Sequence, residues 1–302
     1  MKWLLAALLA LMLAAQALAQ PNPRRLVLEY YLEALEASRQ GVDVSEPVRL
    51  LNQALQALRE GDNASALAIL SQFPAALRSA VERHEEEARR LTITAVIAVV
   101  AAAAVAYLAY RRIPALYYRF MAWYLSQYRI RRARERAKVL KSRLFSEEVA
   151  AVLAAVTVVA SVFAVAQALR AGKVAEPFCA LGTLGPRRKI GDYPKTVVVG
   201  DTVRLYAYVH NYLGYPAYFR VLVKLGDNSS VRGPEGFNAT TVLTLEKILL
   251  HNESVTMPFS FKVEREGVRQ RLILELWIYN TTNNSFTFTG RWNQIWFNAT
   301  RA

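Results

Sequence analysis

Seven asparagines in this chain stand two residues before a serine or threonine, which is the acceptor pattern for N-glycosylation. They are Asn63, Asn228, Asn238, Asn252, Asn280, Asn283 and Asn298, out of 12 asparagines, and none is followed by proline. Random placement of Ser and Thr would give the pattern to ~1 asparagine in 7. A glycan requires export and a surface position, so these sequons predict an exported glycoprotein. The alternative is that Asn, Ser and Thr gather in β-turns.

The other residues whose side chains could take part in catalysis or metal binding are scattered along the sequence. His84, His210 and His251 stand apart, and no phosphate loop or nucleophile elbow occurs. Glu275 lies in the middle of a predicted strand, where a carboxylate is either an active-site acid or, as we favour, the partner of a cross-strand Arg204 or Lys224. Four aromatic residues, Trp277, Tyr279, Trp292 and Trp296, form either a sugar-stacking platform or ordinary sandwich packing. We therefore predict no catalytic residue, no cofactor and no metal site.

Three apolar stretches predict the membrane topology. Residues 1–19 have the charged start, apolar centre and Ala-Leu-Ala end of a secretory signal peptide, with an uncleaved signal anchor as the alternative. Residues 91–110 and 146–170 each contain about twenty apolar residues, which is enough for a helix to cross the ~30 Å hydrocarbon core. A buried helix of a soluble protein is the other interpretation of each.

The basic charge lies between the two predicted spans. Residues 111–143 contain 11 Lys and Arg and one acid, a net of +10 (11 − 1) out of +14 for the chain. The positive-inside rule assigns the loop 111–145 to the cytoplasm and both flanks, which hold every sequon, to the outside. We expect ten of these residues to contact anionic lipid headgroups: Arg111, Arg112, Arg129, Arg131, Arg132, Arg134, Arg136, Lys138, Lys141 and Arg143. Nucleic-acid binding is the alternative, but no recognition motif accompanies the charge.

The two exported segments differ in periodicity. Residues 20–90 carry apolar residues at 3,4 spacing, and Gly61 and Asp62 mark a helix end and a helix start, which predicts a helical bundle. After a linker at 171–195, residues 196–302 alternate apolar and polar side chains in short runs separated by turns. The predicted fold class is therefore α+β, with an immunoglobulin-like β-sandwich at the C-terminal end. The single Cys179 excludes an intrachain disulfide and is predicted to be a buried apolar residue, with lipidation or intermolecular pairing as alternatives.

The segment from "SEEVAAVLAAV" through "TVRLYAYVHN" and "RLILELWIYN" to "GRWNQIWFNAT" resembles the C-terminal region of an uncharacterised family of archaeal, chiefly crenarchaeal, membrane proteins. The resemblance covers roughly Ser146 to Thr300 and leaves the N-terminal helices outside. It implies an archaeal surface setting with an extracytoplasmic sandwich, and no activity.

These patterns predict a non-enzymatic, membrane-anchored glycoprotein that acts in envelope assembly or surface interaction. Its expected partners are membrane lipids and an envelope or membrane protein. A second hypothesis is an accessory subunit of a transporter, oxidase or export complex, because the alanine-rich spans favour tight helix packing. A third is a transmembrane signal relay through the basic loop.

Overall fold

The computed structural model describes residues 22–128, 159, 162–163 and 176–301, and for several residues of the longest helix it describes the backbone alone. Four helices come first: α1 (Pro23–Arg39), α2 (Ser45–Arg59), α3 (Asn63–Leu70) and α4 (Phe73–Tyr128). The predicted signal peptide, residues 129–145 of the basic loop and most of the second predicted span lie outside the described residues.

Local residue choice explains where the first helices begin and end. Pro23 occupies the first turn of α1, where its missing N–H is not needed, and the Asn22 side chain accepts a hydrogen bond from the Arg24 N–H. Between α2 and α3, Gly61 adopts the left-handed conformation (φ 83°) and the Asp62 side chain accepts from the Ser65 N–H. The predicted helix end at Gly61 and helix start at Asp62 are thus confirmed.

Helix α4 contains 56 residues and continues without a break through residues 91–110 to Tyr128. One helical stretch in the described part, Asn63–Ile97, has the length and composition to cross a membrane, and 22% of its most apolar window is buried. That stretch includes α3 and overlaps the predicted span only at residues 91–97. Side chains at Leu91, Val96 and Val100 are each more than half exposed.

Ten strands follow and form two main sheets. They are β1 (Phe178–Leu184), β2 (Thr196–Val198), β3 (Thr202–Tyr212), β4 (Ala217–Gly226), β5 (Arg232–Gly233), β6 (Gly236–Phe237), β7 (Thr240–Leu249), β8 (Glu253–Lys262), β9 (Gly267–Asn280) and β10 (Ser285–Thr300). A three-stranded sheet has the order β1–β3–β8, and a five-stranded sheet has the order β2–β10–β9–β4–β7. Strands β5 and β6 form a separate small hairpin, and among the strands of the described residues only the β2–β10 pair is parallel.

The two sheets enclose one apolar core, as the alternating pattern predicts. From the three-stranded sheet, Leu205 and Phe259 point inward, and from the five-stranded sheet Phe219, Val221 and Leu274 meet them. All five residues are at most 3% exposed. The chain is therefore an α+β protein with a C-terminal β-sandwich.

The sandwich begins earlier in the chain than residue 196, where the sequence predicted its start. Strand β1 lies within the segment 171–195 that the sequence indicated as a linker, and it pairs with β3 from Phe178 to Leu184. The sequence did not indicate this strand, because it contains two small residues, Ala180 and Gly182, and its apolar and polar residues do not clearly alternate. Gly182 lies against the Tyr208 side chain, where an added Cβ would stand 3.4 Å from the Tyr208 Cβ.

The N-terminal helices are not a separate domain. Residues up to 84 and residues from 174 onward form one compact unit, and residues 85–173 form another. A second apolar cluster contains Val27 and Tyr31 of α1, Leu51 of α2, and Tyr218 and Ile248 of the five-stranded sheet. The predicted helical bundle and the predicted sandwich thus share a core, which we call the helix–sheet junction.

Candidate functional site on the outer face of the five-stranded sheet

The outer face of the five-stranded sheet is covered at both ends. At one end, Tyr218 and Tyr279 lie under α1, and the Tyr31 hydroxyl donates a hydrogen bond to the Pro216 carbonyl at 3.2 Å. At the other end, the β5–β6 hairpin places Phe237 against Trp292, with ring centroids 4.8 Å apart. Several of the charged and aromatic residues that the sequence singled out lie under or beside these two covers.

Glu275 and Lys224 form a buried ion pair under the hairpin. The Lys224 Nζ lies 2.9 Å from Glu275 Oε2, and the Glu275 side chain is fully buried. The carboxylate also accepts hydrogen bonds from the Phe237 N–H and the Trp277 Nε1–H, while Lys224 donates to the Phe237 carbonyl. Every member of the network has a partner, so the predicted cross-strand pairing is confirmed with Lys224. Arg204 lies on the other sheet.

The hairpin approaches this carboxylate closely. Gly236 has φ of 92°, and an added Cβ there would stand 2.7 Å from Glu275 Oε2. Only glycine satisfies both conditions, since other residues rarely adopt this backbone conformation and the space is occupied. The arrangement encloses Glu275 and leaves its carboxylate without solvent exposure.

A second group of residues at the same end combines cations and aromatic rings. We call Arg269, Arg271, Phe237, Trp292 and Trp296 the arginine–tryptophan cluster. The Arg271 guanidinium lies 4.6 Å from the Phe237 centroid, 5.7 Å from that of Trp292 and 5.1 Å from that of Trp296. The Arg269 guanidinium lies 5.8 Å from the Trp296 centroid. The contacts have the geometry of cation–π interactions.

The four aromatic residues that suggested one platform belong to different surroundings. Tyr279 is buried at the helix–sheet junction, and the Trp277 indole is bonded to Glu275 and tilted against Phe288 at 5.7 Å. Only Trp292 and Trp296 come together, around Arg271. The four aromatic residues therefore do not form one continuous platform, because the helices and the hairpin divide the outer face of the five-stranded sheet.

The three-stranded sheet carries an aromatic row that the sequence analysis did not identify as a unit. The ring of Tyr212 stacks on Phe178 at 4.6 Å and on His210 at 4.0 Å, and the Tyr208 hydroxyl lies 3.0 Å from His210 Nδ1. Tyrosines and histidine at alternate positions of β3 were the available signal. Phe178 at the end of this row remains 43% exposed, so the row is partly open to solvent.

The remaining histidines and the cysteine have structural surroundings. His84 lies beside Gly41, and His251 Nδ1 accepts a hydrogen bond from the Gly214 N–H at 3.1 Å. Cys179 is buried, as predicted, and burial raises the pKa of its thiol. Across the described ranges, no group of three or more His, Cys, Asp or Glu side chains could hold a metal ion.

The sequon asparagines are accessible. Six of the seven are exposed and Asn280 is partly exposed. Asn298 lies two residues after Trp296 on the same strand face, and its Oδ1 accepts a hydrogen bond from the Arg269 N–H at 2.8 Å. Of the ten predicted lipid-contacting residues, Arg111 and Arg112 lie in α4, while residues 129–143 lie outside the described residues.

Comparison with known families gives no assignment. No family model matches the chain, and no curated protein matches it. The resemblance to an archaeal membrane-protein family thus stays a prediction.

Several solved structures share part of the fold at low similarity. The CARDB domain of the PF1109 protein from Pyrococcus furiosus, crystallised with di-metal ions, is 13% identical with a TM-score of 0.29, and the match covers 42% of this chain and 92% of that one. A β-glucosidase from Listeria innocua is 13% identical with a TM-score of 0.27, covering 41% and 16%. The alkylpurine DNA glycosylase AlkC of Pseudomonas fluorescens, bound to DNA with an abasic site analog, is 12% identical with a TM-score of 0.26, covering 41% and 30%. Likenesses this weak carry no argument about function.

Proposed function

We propose that this chain is a two-pass membrane protein that presents a glycosylated, non-enzymatic interaction module outside the cell, with a role in envelope assembly or surface interaction. The module consists of residues 22–84 and 176–301. Under this proposal the sandwich is immunoglobulin-like and the loop 111–145 faces the cytoplasm.

The helix–sheet junction is the observation that carries the proposal. Tyr31 contacts Pro216, and Asn52 contacts Ile248, although long apolar segments separate these partners along the chain. Two flanks that fold together must lie on the same side of a membrane, so the segment between them crosses it an even number of times. The two apolar runs, 91–110 and 146–170, supply that number.

Exposed apolar side chains support a lipid environment for both runs. In α4, Leu91, Ile97 and Val100 are 71%, 62% and 62% exposed. In the second run, Val162 and Phe163 are 63% and 64% exposed. Water would make such exposure unfavourable by about 25 cal/mol for each Å² of apolar surface, whereas lipid would not.

The sequons support an extracytoplasmic orientation. All seven lie in the proposed module, and the exposed ones could each carry a glycan without disturbing the core. Glycopeptide mass spectrometry of the protein purified from its native membrane tests this orientation. We expect sugars on several of the seven sites, and a complete lack of modification would contradict the glycoprotein part of the proposal.

The same preparation tests the accessory-subunit hypothesis. A protein that acts at the surface is expected to leave the membrane in mild detergent without a fixed integral partner. Co-purification in constant ratio with a transporter, oxidase or export complex would overturn the surface role in favour of the accessory one.

A further inference from the structure

The charge on Arg271 has no counter-charge in the part of the protein that the structure describes. Glu266 pairs with Arg301, and Glu275 pairs with Lys224. Neither Arg271 nor its neighbour Arg269 forms an ion pair with a carboxylate in these ranges. The end of the sheet around Trp296 therefore has a local excess of positive charge.

Arg271 is also incompletely hydrogen-bonded. Its Nη1 donates to the Ser230 carbonyl at 2.9 Å, whereas its Nε is buried and has no hydrogen-bond partner. Partial burial lowers the pKa of Arg271, but arginine keeps its charge in proteins. The buried Nε is closed to an outside ligand, whereas Nη2 forms no hydrogen bond with the described residues and is not buried, so a ligand would meet the guanidinium at Nη2.

The rings around Arg271 indicate what else such a ligand would contact. Trp296 remains 36% exposed although two guanidinium groups lie over it, and Trp292 is partly exposed. Indole rings offer apolar faces next to a polar N–H, which suits a ring that is apolar on its face and polar at its edge. A sugar that carries a carboxylate combines this shape with the missing negative charge.

We propose that the arginine–tryptophan cluster binds an acidic saccharide. The carboxylate of a uronic acid residue accepts a hydrogen bond from Nη2 of Arg271, and the opposite charges of the two groups strengthen that bond. The sugar ring lies against Trp296, and Arg269 adds a second positive charge. The inference rests on the proposed surface-interaction role, for which it names a ligand class.

Calorimetric titration of the full chain in detergent tests the inference, with trigalacturonate as the probe and galactotriose as its uncharged match. We expect saturable binding of trigalacturonate and at least tenfold weaker binding of galactotriose. Arg271→Gln should weaken trigalacturonate binding by about tenfold or more, since a hydrogen bond between charged groups is lost. Arg204→Gln removes the same charge from the exposed face of β3 and should change nothing.

Two further variants keep the result interpretable. Trp296→Ala should also weaken binding severalfold, and it carries the test if Arg271→Gln does not fold. Asn298→Gln removes any sugar attached beside Trp296 and should bind at least as tightly as the unmodified sequence.

Absence of trigalacturonate binding, or equal losses in Arg271→Gln and Arg204→Gln, would overturn the inference. Equally tight binding of inorganic sulfate would also overturn it, because the cluster would then recognise a negative charge and not a saccharide. Binding to vesicles containing phosphatidylglycerol that is lost with Arg271, without trigalacturonate binding, would assign it to lipid instead. None of these results bears on the membrane topology, which fails only if the two flanks of the spans face opposite sides.

Discussion

The Lys224–Glu275 pair shows how one residue position can dominate the stability of the sheet. The pair is buried, and the carboxylate has three partners: Lys224, the Phe237 N–H and the Trp277 indole. A buried ion pair contributes little compared with an apolar pair of the same shape, because both charges lose water. Removing only one partner is different, since it leaves the other charge buried and uncompensated.

We therefore predict that Glu275→Gln destabilises the module by about 3–5 kcal/mol, which is the usual effect of breaking a buried pair. The measurement is urea denaturation of the full chain in detergent, with tryptophan fluorescence as the signal that reports unfolding. Glu46→Gln is the matched control, because Glu46 pairs with Arg49 on the exposed surface of α2 and its loss should not shift the midpoint. Equal midpoints for the two variants would contradict this account of Glu275.

The sequence predicted part of this site. Strand alternation indicated that Glu275 meets a cross-strand base, and Lys224 was one of the two named candidates. The cover over the pair was not predictable, because a hairpin of two-residue strands has no periodicity to detect. Arg271 was missed for a similar reason: its importance comes from aromatic rings contributed by β6 and β10.

At the level of elements, α2 completes the edge of the five-stranded sheet. Strand β7 is the edge strand, and an edge strand has unpaired backbone groups. The Asn52 side chain bonds to both groups of one residue: its Nδ2 donates to the Ile248 carbonyl at 2.7 Å, and its Oδ1 accepts from the Ile248 N–H at 2.9 Å. The amide thus substitutes for the backbone of a neighbouring strand.

Replacing this amide should separate the helices from the sheet edge. We predict that Asn52→Ala lowers the free energy of unfolding by about 2 kcal/mol, because it leaves a partly buried donor and acceptor without partners. Gln53→Ala removes an exposed amide from the adjacent position and should have little effect. The two variants are compared by urea denaturation. A fall of less than half this size for Asn52→Ala would show that Ile248 finds water as readily as protein.

The junction should also depend on pH. Burial raises the pKa of Tyr31, and burial together with the nearby Glu246 raises the pKa of Tyr218. Below pH ~10 these tyrosines are neutral in the folded and unfolded states and their contribution is constant. Above pH 10 the unfolded chain loses protons that the folded module retains, so stability falls by about 1.4 kcal/mol per pH unit for each tyrosine.

A phenylalanine variant isolates this effect. At pH 8, Tyr31→Phe should be less stable by about 1 kcal/mol, because the Pro216 carbonyl loses its donor. Between pH 10 and 11.5 the free energy of unfolding of Tyr31→Phe should fall less steeply than that of the unsubstituted chain. The difference in stability between the two proteins should therefore become smaller as the pH rises. Parallel slopes in urea denaturation across this range would contradict the assignment of a raised pKa to Tyr31.

The sequence predicted some of the helices and strands and missed others. Helices α1, α2 and α3 and strand β3 follow the expected periodicities, since each has one face in a core, whereas β4 and β9 contribute residues to both apolar clusters. Strand β7 was missed because its second half, "LEKIL", consists mainly of good helix formers, and sheet pairing with β4 overrides that preference. The helix–sheet junction was missed because it joins positions about 185–196 residues apart, which no local pattern reports.

On the scale of the whole molecule, the folded unit brings together both ends of the described chain. The unit formed by residues up to 84 and from 174 onward is interrupted by residues 85–173, which form their own unit. Such an insertion is compatible with a membrane hairpin, because both flanks return to one side. Under the proposed topology, α1–α3 and the sandwich share a compartment from which the basic loop is excluded.

Single-cysteine labelling in intact cells tests this claim most directly. With Cys179 replaced by alanine, cysteines are introduced one at a time at Ser71, Ser260 and Ser142, of which the first two are exposed in the structure. We predict that a membrane-impermeant maleimide labels Ser71→Cys and Ser260→Cys in intact cells, and Ser142→Cys only after permeabilisation. Labelling of Ser142→Cys in intact cells, or of Ser71→Cys and Ser260→Cys from opposite sides, would contradict the account.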